Sequence, residues 1–204
     1  MTKKIIFNFV LINCLLINLT SFGQTSLPYN VDSTIDKTID ENIKSTMTQM
    51  LNAIKSVETT NDSIILQNFG LGKNLDAITD AYLSNDTIYI TSALAARDAT
   101  FGYKIVLTRQ KCIVNYFSVA DEDIFKIKKS DKPARQIFFE CPINKLTLSQ
   151  KPKFEIGEPL EGILELTTND FWSVSNEIDT KIKQQLTGYF KTNLKNAKER
   201  SIMY

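Results

Sequence analysis

The chain has 204 residues, of which 43% are hydrophobic and 23% are charged, so its composition is that of a globular protein rather than of a disordered one. Its 24 basic and 23 acidic residues nearly balance, which leaves no net electrostatic attraction for nucleic acid. It contains no histidine, and this excludes Ser-His-Asp and Cys-His nucleophilic systems, histidine-ligated zinc and the usual general base near neutral pH.

Residues 1–23 are predicted to form a secretory signal peptide. Lys3 and Lys4 precede an apolar run from Ile5 to Leu19, and small residues flank the expected cut after Gly23. The run falls short of the ~20 residues that span a bilayer, so an uncleaved anchor is the less favoured alternative. Cys14 lacks the context of a lipoprotein cysteine. We expect an exported protein, located in the periplasm, in the cell envelope or outside the cell, that meets a membrane only through this segment if it stays uncleaved.

The N-terminal segment 24–62 is predicted to hold one amphipathic helix, from Ser33 to Val57. Asp32 or Ser33 can cap its start, and Thr59-Thr60-Asn61-Asp62 ends it. Apolar residues recur every three or four positions, at Ile35, Ile39, Ile43, Met47, Met50, Leu51, Ile54 and Val57. Such a stripe is typical of a helix packed on a core.

After Asp62 the hydrophobic period changes to the alternation typical of strands, which predicts a β domain at 63–194. Strands are predicted at Ser63 to Phe69, Thr87 to Ala95, Tyr103 to Arg109, Cys112 to Val119, Ile124 to Lys128, Arg135 to Cys141, Lys145 to Leu148 and Leu160 to Thr168. Leu75 to Leu83 is predicted to form a short helical turn. Asp179 to Asn193 fits both a helix and a strand, and the strand is favoured because it would complete a sheet. The polar tail 195–204 is expected to fray.

Two short reversals predict that neighbouring strands pair. Arg109-Gln110-Lys111 suits a hairpin, and Asp131-Lys132-Pro133 marks a second reversal. The chain shows neither βαβ alternation nor a glycine-rich phosphate loop. The predicted fold is therefore mainly β, an antiparallel immunoglobulin-like sandwich with one N-terminal helix and with a barrel as the alternative. Lys153 to Leu166 resembles the strand, Gly-Glu turn and strand entry of arrestin-like and other immunoglobulin-like sandwiches, which implies architecture only.

Cys112 and Cys141 are the two cysteines expected in the mature chain. On the predicted strands both point toward apolar surroundings, where a bridge or two buried thiols would fit. An oxidising compartment favours the disulfide.

Four residues are candidates for partner binding. The loop after the strand ending near Ala95 could present Arg97, Phe101 and Tyr103 to a ligand, although an Arg97-Asp98 ion pair that pins a strand connection is the alternative. Trp172, the only tryptophan, could stack on a sugar or a partner, or else close one end of the core. No catalytic, cofactor-binding or metal-binding residue is expected, since Asp121-Glu122-Asp123 lacks the spaced ligands of a Ca²⁺ loop.

The sequence favours a non-enzymatic binding or interaction module without a cofactor, whose partner is an unknown protein, a glycan or a small apolar ligand. A lipocalin-like barrel that carries a small apolar ligand is the alternative, although the Gly-x-Trp signature is absent. A carboxylate-dependent glycan hydrolase is less favoured because the sequence places no pair of acids together.

Overall fold

The computed structural model describes residues 28–43, 52–60, 63–65, 75–95 and 99–199. The predicted signal peptide and Arg97 lie outside these ranges. Within them, helices that are long and apolar enough to cross a membrane are not found.

The described strands form two sheets packed as a β-sandwich, which confirms the predicted fold class, and no closed barrel is formed by this part of the chain. The nine-stranded sheet contains β1 (Asn30–Val31), β2 (Asn52–Thr60), β3 (Ser63–Ile65), β4 (Leu75–Asp76), β9 (Phe125–Lys126), β11 (Ile143–Leu148), β12 (Pro159–Thr167), β13 (Phe171–Ser175) and β14 (Ile178–Asn193). The six-stranded sheet contains β5 (Ile78–Ser84), β6 (Thr87–Ala95), β7 (Ala99–Leu107), β8 (Cys112–Ala120), β10 (Gln136–Glu140) and β15 (Lys195–Asn196).

Pairing is antiparallel except at two short edges. The six-stranded sheet has the order β10-β8-β7-β6-β5-β15, and β15 runs parallel to β5. The nine-stranded sheet has the order β1-β11-β12-β14-β13-β9, and β1 runs parallel to β11. β12 and β13 pair, one after the other, with the same edge of the long strand β14. β2 pairs with the opposite edge of β14 from Asn52 to Thr60.

The core lies between the two sheets and is filled by side chains. Tyr103 and Tyr116 from the six-stranded sheet and Phe171 and Phe190 from the nine-stranded sheet are all fully buried there. The ring of Phe171 lies 5.7 Å from that of Tyr116, so aromatic contacts join the sheets.

The predicted helix is only partly confirmed. Helix α1 (Ile35–Asn42) occupies the start of the stripe, but β2 occupies residues 52–60, so the prediction of helix up to Val57 is wrong there. Residues 44–51 lie outside the described ranges. The reason is tertiary: β2 forms a nine-residue ladder with β14, and this pairing overrides a local helical period.

The predicted helical turn at Leu75 to Leu83 is also wrong, since β4 and β5 lie there. Ala77 and Ala81 face the core while Ile78 is exposed, which is the alternation of a strand. By contrast, β14 confirms the strand favoured for residues 179–193, and β7 and β8 form the hairpin predicted at Arg109-Gln110-Lys111.

Helix α1 packs on the outer face of the nine-stranded sheet. Its buried residues Ile35 and Ile39, together with Ile43 just after it, contact Ile163 of β12 and Tyr189 of β14. The confirmed part of the predicted apolar stripe therefore faces the sheet, and α1 covers one end of that outer face.

Candidate functional site

Two of the predicted partner-binding residues are buried in the core. Phe101 and Tyr103 lie on β7, and both side chains belong to the cluster of residues between the sheets. Burial raises the pKa of Tyr103, whose buried hydroxyl has no hydrogen-bond partner among the described residues. The prediction that these two residues meet a ligand at the surface is wrong, because alternation along β7 turns both of them inward.

Trp172 lies on the outer face of the nine-stranded sheet. Its neighbour Phe171 is fully buried, so the alternation of β13 turns the half-buried Trp172 the other way. It is paired across the sheet with Lys181 of β14 and with Lys126 of β9. Trp172 is therefore the predicted binding residue that the structure leaves accessible, and its binding role stays a prediction.

The two cysteines are free thiols near one another on the core face of the six-stranded sheet. The Cys141 amide donates to the Val114 carbonyl at 2.8 Å, and Cys112 precedes Val114 by two residues, which makes the two cysteines diagonal neighbours. Diagonal positions lie farther apart than the Cβ separation of about 4 Å that a disulfide requires. A bond would therefore need β10 to shift along β8, and the disulfide remains a prediction.

The outer face of the nine-stranded sheet carries an open groove of about 340 Å³, which we call the polar groove. It runs along β14 beside β11 and β12, and it is lined by Asn144, Lys145, Glu165, Leu166, Thr167, Gln185, Leu186 and Thr187. In register, Lys145 lies across from Glu165 and Glu165 across from Thr187, so these three side chains form one row that faces away from the core. The next outward residue of β14, Tyr189, lies under α1, so the helix bounds one end of the groove.

The outer face of the six-stranded sheet carries two rows of apolar residues, and we call it the apolar face. One row across it contains Phe138, Phe117, Gly102, Ala93 and Ile78, in that order. Phe138 is 54% exposed and Ile78 is 51% exposed, although both are large hydrophobic residues.

A second apolar row crosses the same sheet through Ile113, Val106, Tyr89 and Tyr82. The rings of Tyr82 and Tyr89 stack 4.9 Å apart, and the Lys104 ammonium lies 5.6 Å from the centre of the Tyr89 ring. Between the two apolar rows runs a polar row that contains Glu140, Asn115, Lys104, Thr91 and Asp80. The apolar face thus combines two hydrophobic rows with one band of hydrogen-bonding groups.

The sequence-based candidates did not include these two surfaces. The apolar face has a sequence pattern that could have identified it: Cys112 to Ala120 is apolar at most positions on both alternating sets, as in a strand with two apolar faces. The polar groove has no such pattern, because its residues come from three strands and only the register brings them together.

Within the described ranges, no group of three or more His, Cys, Asp or Glu side chains is placed to hold a metal ion. Comparison of the chain with protein-family models, with curated proteins and with solved structures finds no match.

Proposed function

We propose that this protein is an exported, non-enzymatic interaction module whose protein partner docks on the apolar face. The observation that carries the proposal is the exposure of Phe138 and Ile78 at the two ends of one apolar row, with Phe117 between them. Gly102 and Ala93 in the middle of the row are buried, so the exposed apolar groups lie toward its two ends. Exposed apolar side chains that share one row favour an interaction surface, whereas scattered single residues do not.

The shape and composition of the face suit a protein rather than a small molecule. It is five strands wide from β10 to β5, which corresponds to about 19 Å at the usual strand spacing. Protein interfaces combine aromatic residues with hydrogen-bonding groups, and Tyr89, Phe117 and Phe138 lie here beside the polar row that contains Asn115 and Thr91.

Neither alternative function gains the same support. A carrier needs an interior cavity, but the described interior between the sheets is filled by large side chains such as Tyr103, Tyr116 and Phe190. A glycan hydrolase needs two carboxyl groups across a cleft, whereas Glu165 is the one acid among the described residues that line the polar groove.

Site-specific photo-crosslinking in the producing cells tests the docking proposal. A photoreactive amino acid at position 138 should give an adduct of defined mass with one partner, and Ile78→Ser should abolish that adduct. The same amino acid at position 178 is the matched control, since Ile178 is 66% exposed but lies outside the apolar face. Equal adducts at both positions, or none at position 138, would overturn the proposal.

Export rests on the predicted signal peptide and needs its own test. Cleavage after Gly23 leaves Gln24 as the first residue of the exported protein, which N-terminal sequencing detects directly. An exported chain that still begins at Met1 would show that the segment acts as an anchor.

A further inference from the structure

We propose that the polar groove, with Trp172 beyond its open end, binds a neutral oligosaccharide. This inference concerns the nine-stranded sheet, so it does not depend on the partner proposed for the opposite face of the sandwich. The argument rests on the hydrogen-bonding groups, the charge balance and the placement of the single tryptophan.

The hydrogen-bonding groups of the groove match sugar hydroxyls. Thr167 and Thr187 offer hydroxyls, which both donate and accept, and the Gln185 amide supplies two donor hydrogens and an acceptor oxygen. Lys145 and Glu165 add a donor and an acceptor that lie 3.7 Å apart. A ligand that presents many groups able both to donate and to accept can use all of these side chains.

Ion pairs balance most of the charge along this face, with Lys183 of β14 as an additional exposed cation, and this argues for a neutral ligand. Besides the Lys145–Glu165 pair, Lys181 lies 3.3 Å from Asp170 and Lys126 lies 2.7 Å from Asp179. A site for a polyanion instead concentrates cations without nearby carboxylates. These pairs therefore favour an uncharged chain over a sulfated, phosphorylated or uronic-acid polymer.

The register places Trp172 on the same face as the groove. Thr167 lies across from Gln185, and Trp172 lies across from Lys181, four residues further along β14. At the rise of a strand this separation is about 13 Å, and the whole face from Thr187 to Lys181 is about 20 Å long. An extended oligosaccharide of several units can therefore reach both the groove and Trp172, whose large apolar ring suits stacking on the apolar face of a sugar ring.

The direction of the bound chain also follows from the fold. α1 packs on Tyr189 and Ile163 and so bounds the groove beyond Thr187, while the face continues past Lys183 toward Trp172. The oligosaccharide would thus place one end near α1 and continue along β14. Glu165 is the acid that lines the groove, and Asp170 and Asp179 farther along the face are each paired with a lysine, so we expect binding without cleavage.

Intrinsic fluorescence provides the direct test, because Trp172 is the only tryptophan in the chain. The exported protein would be titrated with neutral hexasaccharides of the β-glucan, chitin, mannan, xylan and galactan types, and with oligogalacturonate as the anionic control. We expect a saturable change in tryptophan emission with at least one neutral hexasaccharide, a matching heat in calorimetry, and no binding of oligogalacturonate.

Matched variants separate the groove from the rest of the surface. Thr187→Ala and Gln185→Ala should each weaken binding about tenfold, whereas Thr100→Ala and Gln136→Ala on the outer face of the six-stranded sheet should leave it unchanged. Trp172→Ala should weaken binding in calorimetry, and Trp172→Phe should retain part of it. Affinities are compared only for variants whose melting temperature equals that of the native sequence.

Three results would overturn the inference: no neutral hexasaccharide bound at millimolar concentration, tighter binding of the anionic control, or affinity insensitive to both Thr187→Ala and Gln185→Ala. Photo-crosslinking at position 138 reports on the apolar face independently, so failure here is distinguishable from failure of the proposed docking function. A fourth result, the release of products from the bound oligosaccharide, would show a hydrolase instead of a binding site.

Discussion

At the scale of single residues, Glu158 organises the loop before β12. Its buried carboxylate accepts hydrogen bonds from the backbone amides of Lys153, Phe154 and Glu155, at 2.6, 3.0 and 3.2 Å. Gly157 adopts a φ of 86°, which glycine reaches without steric cost. Residues 153–156 are therefore held as a loop by one side chain, and the strand that the Gly-Glu resemblance implies before the turn is absent in this described segment.

Replacing Glu158 tests this role. Glu158→Gln should lower the free energy of unfolding by about 1.5–3 kcal/mol, because a neutral amide cannot replace a charged acceptor for three donors. Urea denaturation measures the change. Glu155→Gln in the same loop is the control, since that side chain is exposed and should shift stability by less than about 0.5 kcal/mol. Equal effects of the two variants would contradict the role assigned to Glu158.

The two thiols predict a pH dependence of stability. Burial raises the pKa of Cys112 to about 11, and burial likewise raises that of Cys141 to about 11, from an ordinary value of 9.0. The folded state therefore holds these protons more tightly than the unfolded state, and the resulting stability is present below pH 9 and is lost as the pH rises toward 11.

Thermal melting of the reduced protein between pH 8 and pH 11 measures this loss. The melting temperature of the native sequence should fall more steeply over this range than that of the variant carrying both Cys112→Ala and Cys141→Ala. The variant is the necessary reference, because burial also raises the pKa of Tyr103 and adds a loss of the same sign. Parallel curves for the two proteins would show that the thiols do not contribute.

At the scale of elements, the approach of the two sheets depends on Gly188 of β14. A Cβ at this position would lie 2.5 Å from the hydroxyl oxygen of Tyr103 on β7, so the ring occupies the space that a side chain would need. Gly188→Ala should cost about 1–3 kcal/mol through overpacking. Adding Tyr103→Leu should recover part of that cost, which a double-mutant cycle in urea detects as a coupling energy. Additive effects would contradict this contact.

The contact also explains why the sequence left β14 ambiguous. Gly188 is unfavourable in both a helix and a strand, so local propensity could not decide between them. Glycine is required at position 188 because the ring of Tyr103 fills the space of a side chain there, and Tyr103 lies 85 positions away in sequence. In contrast, the strand Thr87 to Ala95 was predicted with the bounds it has, because its alternation and its β-branched residues agree.

The same distinction applies to the candidate sites. The sequence left two alternatives for Trp172 because no strand was predicted at β13, and the observed alternation beside the buried Phe171 is what turns it outward. The polar groove was not predictable, because Lys145, Glu165 and Thr187 become neighbours only through the pairing of β11, β12 and β14. The error at β2 has the same origin, since β14 supplies the partner that a helical period cannot show.

At the scale of the whole molecule, the described chain crosses between the two sheets at several points, and the last of these crossings follows β14. β14 belongs to the nine-stranded sheet, and after Leu194 the chain continues as β15 beside β5 of the six-stranded sheet. The buried Leu194 donates its amide to the Glu158 carbonyl at 2.8 Å, which fixes the crossing point. The end of the described chain therefore contacts both sheets, and the expectation that the tail from residue 195 frays is wrong for Lys195 to Glu199, because β15 pairs with β5.

The Lys195–Asp80 ion pair secures this crossing. The ammonium lies 2.7 Å from a carboxylate oxygen of the buried Asp80, so Lys195→Met would leave a buried charge without its cation. We expect a loss of about 1–3 kcal/mol in the free energy of unfolding, which is reduced from the cost of a fully buried pair because Lys195 is partly exposed. Lys37→Met is the control, because Lys37 is 85% exposed and lies 3.9 Å from Glu41, where a pair contributes little. Urea denaturation compares the two variants, and a loss for Lys195→Met no larger than that for Lys37→Met would show that β15 is held by its main-chain pairing alone.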